Sequence, residues 1–372
     1  MNKILLCSNF LVDLLFMMLT TLLPLFIFSL TNSYSDVGKI LLVFTISVLI
    51  VRFSVWHSVG KIKLRLLLGT ISFCTTYVIF LFFFKSFLLY YIGSISLGIG
   101  IGLIPPIILN LITNTQNVKT NEKNIGLYNI TTAVSSAIGP MIAELIYHTS
   151  TKLLLLSWVV LAISLLLLII KVISNKKINI TENVYTDSAP FKFISLRLLV
   201  LLLFLTAISI SYGTIISYLP IYFSHIHLSV GIYYFLFWLF YSIAQGSHFL
   251  NSNWKSLSII SLGMIISMAI ISYSHQSILS YISGILFGYL YGSIFRIYYS
   301  IMSKIKNPTS RNNGYGIVGL MSYIGVGISQ IFISPFLNFP INNIFFLSST
   351  YLIPFFILMP LILGRKQHEK TK

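Results

Sequence analysis

Apolar stretches long enough to cross a lipid bilayer follow one another along almost the whole chain, and they constrain its fold more than any single motif. A helical span needs about 20 apolar residues to cross a hydrocarbon core of roughly 30 Å. Reading the runs between polar breaks predicts twelve helical spans, at about 4–30, 38–57, 66–84, 87–112, 126–147, 153–172, 197–222, 230–250, 256–273, 278–303, 314–335 and 345–363. Of the 372 residues 56% are apolar and only 8% charged, whereas a soluble surface is roughly a quarter to a third charged. Lipid is therefore the solvent for most side chains, and the fold class is all-α integral membrane, with no room for a separate catalytic or nucleotide-binding domain. The first stretch starts after Lys3, is too long for a signal peptide and lacks a small-residue cleavage site, so it reads as a retained helix.

The formal charge of +17, from 24 Lys and Arg against 7 Asp and Glu, would suggest a nucleic-acid surface in a soluble chain. In a membrane protein it marks cytoplasmic loops. With the N-terminus inside, the inner segments carry Lys3; Lys61, Lys63 and Arg65; Lys119 and Lys123; Lys176, Lys177 and Lys192; Lys255; Lys304, Lys306 and Arg311; and Arg365, Lys366, Lys370 and Lys372. The outer segments offer little beyond Lys39, Lys85 and Lys152. The expectation is a multi-pass protein of the cell membrane with both termini cytoplasmic, whose charge needs no nucleic-acid partner.

The longest polar stretch, SNKKINITENVYTDSAPFK from Ser174 to Lys192, lies between the sixth and seventh spans. It divides the chain into a six-helix bundle over 1–172, a central cytoplasmic loop over 173–196 and a second bundle over 197–372 with a short tail. Internal similarity supports this division. Tyr91, Ile92, Ile95, Gly98, Gly102 and Gly126 recur 190 positions later as Tyr281, Ile282, Ile285, Gly288, Gly292 and Gly316. Leu23-Pro24-Leu25-Phe26 is echoed by Leu219-Pro220-Ile221-Tyr222. Matched spans six apart imply two parallel halves, with a substrate site expected near the midplane.

The acidic residues are few enough to take one by one. Asp36, Glu122, Glu182, Asp187 and Glu369 fall in loops or the tail, which leaves Asp13 and Glu144 in spans. An ionised carboxylate at the depth of Asp13 costs at least about 2.5–3.5 kcal/mol, and such a residue carries either a function or a structural pairing. Asn9, Asp13, Thr20 and Pro24 fall near one helical face, a stripe suited to line a cavity where Asp13 alternates between a proton and the substrate. Glu144, four residues before His148, is either a coupling or gating group or a solvated carboxylate at the outer helix end. Arg296 is the deepest cation, eight residues or roughly 12 Å before Lys304; it receives an anionic substrate group or pairs with Asp13. Arg52 is close enough to the inner end of its span to snorkel. Asn129, Gln245, Tyr323 and Gln330 are further polar groups in spans that could face the cavity.

Cys7 and Cys74 lie in apolar stretches with no CxxC spacing, so neither a disulfide framework nor a metal site is expected. The Gly98-Ile-Gly100-Ile-Gly102 run has no Lys-Ser/Thr and no preceding strand, which excludes a phosphate loop and leaves close helix packing. No grouping of nucleophile and base suggests an enzyme, and no cofactor is implied.

Twelve spans, a central loop and parallel halves resemble the major facilitator superfamily, and the short motifs bear on that resemblance. After span 2 the family carries a Gly-x-x-x-Asp-Arg-x-Gly-Arg-Arg-type loop; His57-Ser-Val-Gly60-Lys61-Ile-Lys63-Leu-Arg65 keeps the second glycine and the basic cluster but has His57 at the acidic position and Phe53 at the first glycine. In span 4 the arginine of proton-coupled exporters is replaced by Ser94. Span 5 reads Ser135-Ser-Ala-Ile-Gly139-Pro140-Met-Ile-Ala143-Glu144, similar to the Gly-Pro core of the exporter signature, with Leu127-Tyr128 upstream. This resembles the drug:proton antiporter and metallophore exporter branches. The resemblance implies proton-coupled efflux of a small molecule, anionic or zwitterionic, by alternating access, with Gly60, Lys61, Lys63, Arg65, Gly98, Gly102, Gly139 and Pro140 in gating and helix contacts. Uptake of a small carboxylate, or a sensor that keeps the fold without transport, are the alternatives that the missing motif residues leave open.

Overall fold

The computed structural model describes residues 2–57, 62–113, 118–174, 196–247, 249–250, 253–274, 276–303 and 308–357. These residues form the helices α1 (Asn2–Thr31), α2 (Tyr34–His57), α3 (Ile62–Phe83), α4 (Phe87–Thr113), α5 (Val118–Thr149), α6 (Thr151–Ser174), α7 (Leu196–His225), α8 (Val230–Gly246), α9 (Trp254–Tyr273), α10 (Ser277–Ser303), α11 (Pro308–Ile333) and α12 (Ile341–Ser349), with no strand among the described residues. Ten are long and apolar enough to cross a membrane, and Val230–Gly246 and Ile341–Ile357 are shorter apolar helices. Each predicted span thus carries a helix. Several bounds differ: α5 starts at Val118 and α11 at Pro308, ahead of the apolar runs; α8 ends at Gly246, where Ser247 Oγ accepts from the Phe249 amide at 3.4 Å; and α12 starts behind Pro340 and tightens into a 3-10 turn over Thr350–Leu352.

Hydrocarbon offers no partner for a backbone amide, so a spanning segment closes its hydrogen bonds within itself. Buried hydroxyls follow the same rule: Thr21 donates to the Met17 carbonyl at 2.7 Å, Thr45 to Leu41 at 2.9 Å and Thr70 to Leu66 at 2.8 Å. Side chains mark the ends. Ser33 Oγ accepts from the Asp36 amide at the start of α2, and Asn253 Oδ1 from the Ser256 amide at the start of α9. Among the described residues, the two non-glycine residues with positive φ, Asn32 and His227, follow the ends of α1 and α7, the place where a left-handed residue terminates a helix.

The chain divides into two compact units, Met1–Tyr185 with Ser229–Phe235, and Thr186–Leu228 with Leu236–Lys372. In the first, α1 packs on α5, α3 on α4 and α6, and α2 on α4. In the second, α7 packs on α11, and α9 on α10 and α12. These pairings repeat six helices on, and the matched glycines repeat with them. Gly98 and Gly102 of α4 lie so close to α2 that an added Cβ would sit 2.7 Å from the Phe44 carbonyl oxygen and 2.7 Å from Val51 Cγ1. Their counterparts Gly288 and Gly292 of α10 lie equally tight against the Phe237 and Tyr241 carbonyls of α8.

The apolar pattern sorts the helices by depth. In α6, Leu154, Leu155, Trp158, Ala162, Leu165, Ile169 and Val172 are buried at helical spacing, while Leu153, Leu156, Val160, Ile163 and Leu167 are exposed, as on a helix with one face in lipid. By contrast, α1 and α7 are enclosed, with 72% of their most apolar window buried in each case. Ser8, Asn9, Thr20 and Thr21 of the one and Thr206, Ser209, Ser211, Thr214 and Ser217 of the other are accordingly buried.

Candidate functional site

In the first unit the enclosed helix α1 carries Asn9 and Asp13 one turn apart, and α5 faces them with Thr131 and Thr132. Asp13 Oδ2 accepts from Thr132 Oγ1 at 2.7 Å and from Asn9 Nδ2 at 3.1 Å. The same amide group reaches Thr132 Oγ1 at 2.9 Å and Thr131 Oγ1 at 3.2 Å, and Thr131 Oγ1 donates back to the Tyr128 carbonyl at 2.8 Å. Both partners of the carboxylate are neutral. Asn9 is 0% exposed and its Oδ1 has no hydrogen-bond partner, whereas Asp13 is half-buried. A neutral setting can hold a carboxyl with or without its proton, because Thr132 and the Asn9 amide donate to the ionised form and a hydroxyl oxygen accepts from the protonated one.

The remaining residue of the predicted stripe, Thr20, is turned onto its own helix, donating to the Phe16 carbonyl at 2.9 Å. Close approach of the two helices comes from Gly139, two turns along α5 from Thr132, where a Cβ would lie 3.1 Å from the Leu14 carbonyl oxygen and 3.2 Å from Met17 Cβ. Gly139 thus serves the Asp13–Thr132 contact.

The next turn of α5 holds another segment of the same unit, Ser229–Phe235. Glu144 accepts from Ser229 Oγ in a very short contact, from the Gly231 amide at 2.8 Å and from the Val230 amide at 3.2 Å. Ser229 Oγ in turn accepts from the Ile232 amide at 3.1 Å. The unpaired donors of a helix start are thereby covered by a side chain from a different helix. Gly231 permits it, since a Cβ there would meet Met141 Cα at 3.0 Å and the Pro140 carbonyl oxygen at 3.1 Å. Glu144, with a side chain 15% exposed and His148 Nε2 4.0 Å away, is the cap of α8 rather than a solvated carboxylate at a helix end.

The second unit has a seam of its own between α7 and α11. Ser209 Oγ donates to Ser322 Oγ at 3.2 Å, and Tyr291 OH of α10 lies 3.2 Å from the same Ser322 oxygen. Two turns further, Gln330 Nε2 donates to Ser217 Oγ at 2.6 Å and to Ser329 Oγ at 2.9 Å. Gln330 is 4% exposed and its Oε1 has no partner. Between these rungs, Gly213 lies against Ser329 and Val326, and Gly325 against the Thr206 carbonyl and Ser209. Behind the seam, the ring of Tyr291 stacks on that of Tyr212 with centroids 4.6 Å apart.

The other predicted residues lie away from these contacts. Arg296 donates in a very short contact to the Leu250 carbonyl, which ties α10 to the turn after α8. Gln245 Nε2 donates to the Gly292 carbonyl at 3.0 Å, beside the glycine contact of α8 with α10. Asn129 and Tyr323 are half-buried on α5 and α11, Lys63 is exposed and Arg65 half-buried at the start of α3. Ser94 is buried and its hydroxyl has no partner. Gly60, Lys61, the central loop and residues 358–372 lie outside the described residues.

Thr131, Thr132, Ser209, Ser217, Ser322 and Tyr291 were missed because Ser and Thr are routine in membrane helices. The internal repeat held the signal. The offset of 196 between the two Leu-Pro segments carries Asp13 onto Ser209, and the offset of 190 between Gly126 and Gly316 carries Thr132 onto Ser322. Each pair meets, one in each unit.

A family model described as Major Facilitator Superfamily matches residues 5–330. No curated protein matches the chain by sequence. Solved structures of similar fold include a POT family transporter in complex with a thioalcohol-conjugated peptide, at TM-score 0.79 and 12% identity, covering 98% of this chain and 96% of the other. The nucleoside transporter NupG matches at TM-score 0.68 and 14% identity, covering 96% of this chain and 98% of the other. The human organic anion transporter MFSD10 (TETRAN) matches at 0.67 and 13%, again covering 96% and 98%. Identities this low establish the fold alone. The family match extends over most of the chain, and with the membrane helices in place the protein belongs to the Major Facilitator Superfamily.

Proposed function

We propose that the chain is a secondary transporter of the cell membrane, with cytoplasmic termini, that exports a small organic solute by alternating access in exchange for protons. The observation that carries this reading is Asp13, a carboxylate on an enclosed membrane helix whose partners, Asn9 and Thr132, are both neutral. An intramembrane carboxyl without a paired cation is suited to binding and releasing a proton. The exporter direction is supported by Gly139 and Pro140, which seat α5 against α1 and against the start of α8. The similar structures are named for a peptide, a nucleoside and organic anions, and the common denominator carried over is a small organic solute.

Comparing metabolites inside and outside cells that overproduce the wild type or Asp13→Asn tests the reading. A compound released by the wild type and retained with Asp13→Asn is the expected result. Depletion of a compound from the medium by the wild type would reverse the direction. No difference under several growth conditions would replace the transporter with a sensor.

A further inference from the structure

The seam between α7 and α11 carries a buried acceptor, Gln330 Oε1, that its own packing does not satisfy. Gln330 directs both donors of its amide inward, to Ser217 and Ser329, and leaves its carbonyl oxygen unpartnered in a side chain that is 96% buried, being 4% exposed. Ser209, Ser322 and Tyr291 form a hydroxyl group of three along the same seam. Three hydroxyls own three protons but six lone pairs, so the set retains acceptor capacity after its internal bonds are made. Ser322 is half-buried, whereas Gln330 at the other end is almost fully enclosed. Leaving such a buried carbonyl unpaired is costly, and hydrocarbon cannot supply a donor.

We propose that this seam between α7 and α11 is a substrate subsite selecting uncharged solutes rich in O–H and N–H donors, such as polyols, amino alcohols in their neutral form and hydroxylated rings, and rejecting carboxylates. It rests on the reading of the chain as a transporter and narrows the substrate class. Two observations separate it from an anion site. Gln330 Oε1 can only accept a hydrogen bond and so disfavours a carboxylate beside it, and Arg296, the cation in this unit that the sequence marked for an anionic substrate, donates to the Leu250 carbonyl. The seam is more than a row of small residues, because the orphaned Gln330 oxygen needs a donor that the protein does not provide.

Ligand-induced thermal stabilisation of the purified full chain in detergent tests it, with a hexitol, a ribonucleoside, succinate and citrate as probes. The hexitol or the nucleoside is expected to stabilise the wild type, and succinate and citrate are not. Gln330→Met, which keeps the volume and removes the carbonyl, is expected to weaken that binding at least tenfold. Should Gln330→Met not yield monodisperse protein, Ser322→Ala carries the same expectation of weakened binding. Stabilisation by the carboxylates, no stabilisation by either donor-rich probe, or undiminished binding in the variants overturns the proposal. Donor-rich binding that is unaffected by Asp13→Asn and moves no protons would instead remove the coupling assignment and leave the subsite standing.

Discussion

At the scale of single residues, the account turns on how one carboxylate is held. Thr132 gives Asp13 its shortest hydrogen bond, 2.7 Å, and a bond to a charged acceptor contributes about 1.5–3 kcal/mol. Thr132→Val is therefore expected to lower both the melting temperature of the purified protein and its transport rate, whereas Thr132→Ser, which keeps the hydroxyl, stays near the wild type in both. Asp13 itself was legible in the sequence, since a buried acid stands out against an apolar background. Its partner Thr132 was not, because a threonine in a membrane helix carries no mark of whether it bonds its own backbone, as Thr20 does, or another helix, as Thr132 does. Arg296 shows the converse. Depth alone made it a candidate for an anion, and the fold directs it to a backbone carbonyl.

At the scale of helices, the Gly-Pro core of α5 and the acid one turn beyond it act together on the start of α8. Removing the carboxylate with Glu144→Ala leaves the Val230 and Gly231 amides without the acceptor they have now, at a cost of about 1–3 kcal/mol. The expected outcome is a clear fall in melting temperature for Glu144→Ala and a smaller one for Glu144→Gln, which keeps one acceptor oxygen. Equal falls would mean that the charge, acting on the helix dipole, matters more than the hydrogen bonds. The existence and order of all the helices followed from hydropathy, because the bilayer sets a length that a run of apolar residues either reaches or does not. The role of Glu144 did not, since sequence spacing places it near a helix end without saying which other segment comes to meet it.

At the scale of the whole molecule, the repeat is the feature that ties sequence to function. Each unit encloses its first helix, pairs that helix with its fifth and places a polar contact at equivalent positions, Asp13 with Thr132 in one and Ser209 with Ser322 in the other. The units have diverged in chemistry: the first keeps a carboxylate and the second keeps only hydroxyls and an amide. On that difference rests the proposal that proton handling falls to α1 and α5, and solute selection to α7 and α11. The most direct test loads proteoliposomes with a pH-sensitive dye and adds the compound that the metabolite comparison identifies. The account requires proton movement linked to that compound in the wild type, and its loss in Asp13→Asn while exchange of the labelled compound across the membrane persists. Solute-linked proton movement of wild-type size in Asp13→Asn would contradict it.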